Sequence, residues 1–163
     1  MSRESKSDKN LIGAAGEHLV LSRLLTRGIL AAQAPRGTRK ADVLVNHLDR
    51  KASCLVQVKT RLGSGSEKSW VMSKKHEDMK ESDLFYCFVD IGKANPNVYV
   101  IPAKVVAKVC KLSHETWMSL PGAKGQKHND SDMRKIRNDY KFPIKGLEAG
   151  WMEQYLERWD LVE

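Results

Sequence analysis

Apolar residues recur at helical spacing near the start of the chain. Val20, Leu21 and Leu24 share one face of a helix predicted over 10–27, and Gly28 stands where a left-handed residue ends a helix. The polar residues 1–9 are expected to be a flexible N-terminus. Three short runs with strand-like alternation follow, and they predict strands at 29–34, 41–46 and 54–60.

The middle of the chain predicts further strands and two further helices. A strand is expected at 70–72 and a helix from about Lys74, and Pro102 opens a helix over 103–111. Two strongly apolar runs predict strands at 84–90 and 98–101. We therefore predict an α/β fold in α-β-β-β-α-β order, in which helices flank a mixed central sheet.

The end of the chain has a different pattern. We predict a core domain at 10–111 and a C-terminal extension at 112–163, which holds a polar loop at 119–145 and a terminal helix at 147–161. Apolar side chains share one face of that helix: Met152, Tyr155, Leu156 and Trp159. Such a stripe either packs on the domain or forms a dimer face.

Composition narrows the class of protein. The chain has 163 residues, of which 41% are hydrophobic and 29% charged, so it can bury the core of one domain. It has no apolar run of the roughly 18 residues that a membrane span needs, and its polar start does not resemble a secretory signal. Three cysteines without a Cys-x-x-Cys pair argue against a disulfide scaffold or a zinc site. We expect a cytoplasmic protein.

Positive charge is concentrated in the first part of the chain. The net charge is +8, and the first sixty residues carry 11 basic and 5 acidic side chains. A basic region of this kind favours a polyanionic partner, since each neutralised phosphate releases a counterion. Many soluble proteins are mildly basic without such a partner, so charge alone leaves the question open.

Four polar side chains occupy positions where the pattern calls for apolar ones. Glu17 lies on the apolar stripe of the first helix, Asp42 lies in the second strand, and Gln57 and Lys59 share one face of the third. Each alone is compatible with an exposed position. A hairpin of the two strands would bring Asp42 beside Gln57 and Lys59, and the helix would lay Glu17 over them. Together with the carbonyl of Val58 they predict an oxygen site for Mg²⁺, where Lys59 would orient or activate a water.

These residues resemble the PD-(D/E)XK nuclease superfamily, in particular archaeal Holliday junction resolvases and Mrr-type restriction endonucleases. The resemblance rests on Gly13-Ala14-Ala15-Gly16-Glu17, Ala41-Asp42 and Gln57-Val58-Lys59, and it covers roughly residues 10–110. It implies a restriction-endonuclease-like core. It further implies an endonuclease that uses Mg²⁺ or Mn²⁺ and no organic cofactor.

The resemblance also implies a role for each matching residue. Asp42 is the main metal ligand, Lys59 the catalytic lysine, and Glu17 the helix carboxylate that assists the metal site. Two positions depart from the motif: Ala41 replaces its proline, and Gln57 replaces its acidic residue. Because Gln57 offers a carbonyl oxygen without charge, metal binding is expected to be weaker.

Basic and hydroxyl side chains around these positions are candidate DNA contacts. They are Arg36, Arg39, Lys40, Arg61, Ser64, Lys74, Lys75 and His76. Trp70 and Trp117 are expected in the core. Because one site cuts one strand at a time, we expect a homodimer for double-strand or junction cleavage.

The function we expect is metal-dependent hydrolysis of DNA phosphodiester bonds. Two alternatives stay open from the residues. One is a DNA-binding module that keeps the nuclease fold without its chemistry, which the amide at Gln57 favours. The other is a protein-interaction domain that uses the C-terminal Trp/Tyr helix and does not bind nucleic acid.

Overall fold

The computed structural model of the chain describes residues 6–49, 52–63, 68–92 and 94–163. The described residues form two α-helices, α1 (Lys6–Leu25) and α2 (Ala103–Ser119). The strands are β1 (Leu30–Gln33), β2 (Val43–His47), β3 (Ala52–Arg61), β4 (Trp70–Ser73), β5 (Leu84–Asp90), β6 (Asn97–Pro102) and β7 (Met133–Ile136). Single 3-10 turns lie at Lys74–Glu77, Glu153–Tyr155 and Trp159–Leu161. Neither described α-helix is long and apolar enough to cross a bilayer.

The main sheet is mixed, with strands in the order β1-β2-β3-β5-β6. Strands β1, β2 and β3 form an antiparallel meander, β3 and β5 are parallel, and β6 is antiparallel to β5. A second, two-stranded sheet joins β4 to β7. The predicted α/β class with a mixed central sheet flanked by helices is confirmed.

Alternation along the central strands gives the sheet two different faces. On one face, α1 places Val20 and Leu24 against Val43, Val56 and neighbouring aliphatic side chains. On the other face, α2 packs with β4 and β7 over a cluster that contains Tyr86 and Phe88. Only this second face carries the polar positions Gln57 and Lys59 of β3, because they alternate with the buried Val56 and Val58.

Three helix boundaries differ from the predicted ones. Helix α1 begins at Lys6, inside the segment expected to be flexible, whereas residues 1–5 lie outside the described residues. Helix α2 continues past 111 to Ser119, since Leu112 and Ser113 still pack on the core. The helix expected from Lys74 is a single 3-10 turn in which only His76 is buried, so the segment has no apolar face to continue.

The predicted structure of the C-terminal segment is wrong in two respects. The polar stretch 119–145 contains β7, and the helix expected at 147–161 is replaced by two 3-10 turns. Residues with positive φ interrupt the segment at Gly146, Gly150 and Glu157.

The apolar stripe expected at the C-terminus belongs to two different clusters. Met152 is buried on the α2 side of the sheet, and Trp159 is buried on the α1 side. The helical spacing of these residues therefore gave a wrong prediction. Within the described residues there is no terminal Trp/Tyr helix, which the protein-interaction alternative requires. The division into a core at 10–111 and an extension at 112–163 stays a prediction.

Candidate active site

The carboxylate of Asp42 lies immediately before β2 and ties that point of the chain to β3. The Asp42 amide donates a hydrogen bond to the carbonyl of Val56 (2.8 Å). In return, Oδ2 of Asp42 accepts a hydrogen bond from the backbone N–H of Val58 (2.7 Å). Because the N–H and C=O of one strand residue point the same way, the Val58 carbonyl faces the side on which Asp42 lies.

Gln57 stands next to Asp42, as the predicted hairpin requires. Its Nε2 donates to Oδ2 of Asp42 over 3.3 Å, and the side chain is half-buried. In this rotamer the amide nitrogen faces the carboxylate, and a half-turn of the amide would exchange its oxygen for its nitrogen. The amide therefore holds the carboxylate in place while leaving a carbonyl oxygen in reserve.

Lys59 lies two residues further along the same face of β3. Burial lowers the pKa of its amine below the usual value, Asp42 opposes that shift, and Lys75 adds to it. Asp42 and Lys75 both act electrostatically on the Lys59 ammonium. The structure thus brings Asp42 and Gln57 into contact, and Lys59 follows Gln57 on the same face of β3.

Glu17 reaches this end of the sheet from the opposite face. Helix α1 lies so close to β3 at Gly16 that a Cβ there would stand 1.9 Å from Oγ1 of Thr60. The next residue, Glu17, accepts a hydrogen bond from Nε2 of Gln33 (3.1 Å), and Gln33 pairs with Val43, the neighbour of Asp42. Glu17 therefore stands near the end of β2 at which Asp42 lies, but on the α1 side.

Arg61 was expected to line a phosphate path, but its guanidinium is bonded to partners within the protein. Its Nη2 and Nε donate to Oδ2 of Asp90 (2.9 and 3.2 Å), and its guanidinium carbon lies 3.7 Å from the centre of the Trp70 ring. Trp70 is buried and donates its own N–H to the carbonyl of Val89 (3.0 Å), which confirms its expected place in the core. We therefore remove Arg61 from the candidate DNA contacts.

The loop ahead of Asp42 presents its basic side chains to solvent. Arg36 and Arg39 are exposed, and Lys40 adopts a left-handed backbone (φ 72°). The Lys40 ammonium pairs with the carboxylate of Glu81, which anchors the loop to the connection that precedes β5. The loop therefore carries exposed cations beside Asp42 that could contact the phosphate backbone of DNA.

A second exposed basic segment is the 3-10 turn after β4. Lys74 and Lys75 are solvent-exposed, as a phosphate contact requires. His76 is not: only 2% of its surface is exposed, so it cannot reach a DNA backbone, and that expectation is wrong. Ser64, the remaining candidate, lies outside the described residues.

His76 instead is buried in the fold, close enough to Lys59 for the two groups to interact electrostatically. Its Nδ1 lies 2.6 Å from the hydroxyl of Tyr86, which also contacts the sulfur of Met79 (3.5 Å). Burial, with Lys59 and Lys75 nearby, lowers the pKa of His76 to about 4. Sequence reasoning missed Tyr86, because its place beside Gln57 depends on the parallel register of β3 and β5, which no local motif encodes.

The available donors fit a hard divalent cation. They are the carboxylate of Asp42, the amide oxygen of Gln57 and the carbonyl oxygen of Val58; Glu17, the other predicted ligand, lies on the α1 side of the sheet and not over the face that carries Gln57 and Lys59. Oxygen donors with few carboxylates are what Mg²⁺ or Mn²⁺ prefers, since such ions keep several waters. Within the described ranges, no group of three or more histidine, cysteine, aspartate and glutamate side chains could hold a metal ion, so these donors do not form a zinc-type cage.

Comparison with known proteins supports the fold. No family model matches the chain, and no curated protein matches it either. The solved structure of a bacterial homing endonuclease, I-Ssp6803I, is similar with a TM-score of 0.55 and 16% sequence identity. The match covers 98% of this chain and 92% of that chain. At this identity it shows a shared fold, consistent with a restriction-endonuclease-like core.

Proposed function

We propose that the protein is a metal-dependent endonuclease of the PD-(D/E)XK type that hydrolyses DNA phosphodiester bonds at Asp42, Gln57 and Lys59. The observation that carries this proposal is the hydrogen-bonded end of β2, where Asp42 meets Val58 and Gln57 with Lys59 one step beyond. A carboxylate, an amide and a lysine on one strand pair are compatible with metal-assisted phosphodiester hydrolysis. The endonuclease named above, which shares the fold, makes DNA the natural candidate substrate.

Asp42 would supply the negative charge that holds Mg²⁺ or Mn²⁺, and Val58 and Gln57 would supply neutral oxygens. Both hydrogen bonds to the Asp42 carboxylate reach Oδ2, so Oδ1 accepts none from a described residue. Gln57 joins the site through a half-turn of its amide, which releases its hydrogen bond to Asp42. When bound, the cation supplies Lewis-acid polarisation of a phosphoryl oxygen.

Lys59 would act on the phosphate and on the attacking water. Its stem is half-buried on a central strand, so the amine is held in place rather than swinging in solvent. In the protonated form it stabilises the charge that develops on the phosphoryl oxygens, and it donates hydrogen bonds that orient the water for in-line attack.

Exposed cations on two segments near the site would bind the DNA backbone. Arg36, Arg39 and Lys40 precede Asp42, and Lys74 and Lys75 are exposed on the turn after β4, where Lys75 helps to lower the pKa of Lys59. Binding through such contacts should weaken steadily as salt concentration rises, because each neutralised phosphate releases a counterion. We further propose a homodimer for double-strand cleavage; sedimentation of a monomer alone at assay concentrations would contradict it.

The test is cleavage of supercoiled plasmid DNA with Mg²⁺ by the wild type, Asp42→Ala and Lys59→Ala. We expect nicking that EDTA stops and that both variants lose by at least roughly a hundredfold, while circular dichroism shows the wild-type fold. Lys108→Ala, an exposed lysine on α2, serves as the matched control and should cut normally. Cleavage that persists in either site variant rejects the assignment.

A specific observation favours a second candidate, a DNA-binding module without catalysis. Gln57 donates to Asp42 where a nuclease of this type more often has a carboxylate, so the site lacks one negative charge. This candidate predicts salt-dependent DNA binding without metal-dependent nicking, and restoration of nicking by Gln57→Glu. Nicking by the wild type would exclude it.

A further inference from the structure

A cavity lies on the α2 side of the sheet, and Asp42 is not among its lining residues. It has a volume of about 430 Å³, within the range of small-ligand pockets. The C-terminal half of α2 forms one wall, and β7 with the residues that follow it forms the other. Trp117, expected in the core, lines this cavity and is only half-buried, so that expectation is corrected.

The lining combines aromatic rings with positive charge. Trp117, Tyr140 and Phe142 contribute rings; the Trp117 ring stacks on the His128 ring, with centroids 3.8 Å apart, so a ligand could use only the face of Trp117 turned away from His128. The four charged groups on the lining are all cations: Arg134, Lys135, Arg137 and Lys141. Aromatic surfaces beside cations are what a nucleobase and its phosphate require together.

The cations of the lining do not all serve the fold in the same way. Arg134 is buried and pairs with Glu77, and its Nη1 lies 3.9 Å from Asp130. Lys141 is exposed at the mouth. Positive charge is therefore available at the opening, where a phosphate would stand, whereas the buried charge is neutralised.

The cavity is linked to the candidate active site through the 3-10 turn Lys74–Glu77. Arg134 of the cavity wall pairs with Glu77 of that turn, and the Lys74 amide donates to the carbonyl of Asp132 (2.8 Å). Lys75 of the same turn is electrostatically coupled to Lys59. A nucleic acid strand that crosses Lys74 and Lys75 would thus pass from the site towards the cavity.

We propose that this cavity binds a single unstacked nucleobase of a DNA strand, with Trp117 and Phe142 as stacking surfaces and Lys141 on the adjoining phosphate. The inference rests on the proposed function only for the choice of DNA as ligand, because base binding requires neither metal nor catalysis. It predicts that single-stranded or distorted DNA is preferred over a fully stacked duplex.

The experiment measures binding in EDTA of two fluorescein-labelled oligonucleotides of equal length and charge. One is a deoxythymidine decamer, and the other is a decamer of abasic sugars. We expect the wild type to bind the decamer with bases at least roughly fivefold more tightly. Trp117→Ala and Phe142→Ala should each remove most of that preference, and base binding should quench the Trp117 fluorescence.

Two further variants keep the result interpretable. Lys141→Ala, an exposed position where misfolding is not expected, should weaken both oligonucleotides equally and lower the salt dependence by about one ion. Lys108→Ala, on α2 but outside the cavity, should bind both like the wild type. Equal wild-type affinity for the two oligonucleotides overturns the inference, as does an unchanged base preference in folded Trp117→Ala. Loss of plasmid nicking with base preference intact would instead reject only the nuclease proposal.

Discussion

Two cations stand two residues apart on β3, and the fold treats them differently. Arg61 donates two hydrogen bonds to Asp90 and stacks on Trp70, so its charge is matched within the protein. Asp42 acts electrostatically on Lys59, yet no described carboxylate lies within ion-pairing distance of the Lys59 amine. The Arg61 pair stabilises the fold, whereas the Lys59 group retains charge that a ligand can use.

The carboxylates differ in the same way. Asp90 is buried against Arg61 and leaves no space beside it, since a Cβ on Gly63 would stand 2.0 Å from its Oδ1. Asp42 is half-buried and holds only an N–H and an amide. A carboxylate paired with a guanidinium inside the fold is a structural element, and a carboxylate at a strand end without a cationic partner is a candidate for catalysis.

The largest expected effect separates the two cations by activity. Lys59→Met should reduce plasmid nicking by roughly 10²–10³-fold, because it removes the charge that stabilises the transition state. Arg61→Met should change nicking less than about fivefold at temperatures where it is folded. Initial rates with Mg²⁺ at matched folded fractions check this, and equal losses in both variants would abolish the distinction.

The second effect separates the two carboxylates by stability. Asp90→Asn should lower the free energy of unfolding by about 2–3 kcal/mol, because it leaves the guanidinium of Arg61 buried without its counter-charge. Asp42→Asn should lower it by less than about 1 kcal/mol, since an amide oxygen can still accept the Val58 N–H. Urea unfolding of both variants measures the difference. A larger loss at Asp42 would make it the structural carboxylate.

The strands around the site were predictable because their patterns are local. The strand pattern around Val43 and Val56, with a hairpin joining the two strands, was enough to predict Asp42 beside Gln57. What Arg61 contacts was not predictable, since Asp90 and Trp70 reach it only through the parallel β3–β5 pairing and the second sheet. The C-terminal stripe failed for the same reason: Met152 and Trp159 enter different clusters, which spacing along one segment cannot reveal.

A third, smaller effect tests whether the Asp42 carboxylate belongs to a cation site. Gln57→Glu should tighten Mn²⁺ binding by roughly tenfold, because it adds a second carboxylate next to Asp42. The matched control is Gln126→Glu in the exposed loop after α2, which makes the same change in charge and should leave Mn²⁺ affinity unchanged. Titration calorimetry gives both values. Unchanged Mn²⁺ affinity in Gln57→Glu would place the cation site elsewhere.

The smallest effect concerns the aromatic ring near each cation, and it is read as the pH dependence of stability. Trp70 lies beside Arg61 and does not titrate, whereas His76 lies near Lys59 with its pKa lowered to about 4 from an ordinary 6.5. The charged and titratable groups that face it are Lys59, Lys75, Asp132 and Tyr86. In the folded protein the imidazole stays neutral as pH falls, while in the unfolded chain it takes up a proton. The unfolded state therefore binds more protons, and stability is lost as pH falls from about 6.5 to about 4.

Replacing His76 should remove that part of the pH dependence. Between pH 6.5 and pH 4, the Tm of the wild type should fall by several degrees more than the Tm of His76→Gln, whose side chain can still accept a hydrogen bond from Tyr86. His18→Gln, on the exposed surface of α1, controls for histidine titration in general and should follow the wild type. Parallel curves for wild type and His76→Gln would mean that the imidazole is charged or hydrated in the folded protein. The surroundings of Lys59 would then be open to water, and burial would no longer account for the lowered pKa of its amine.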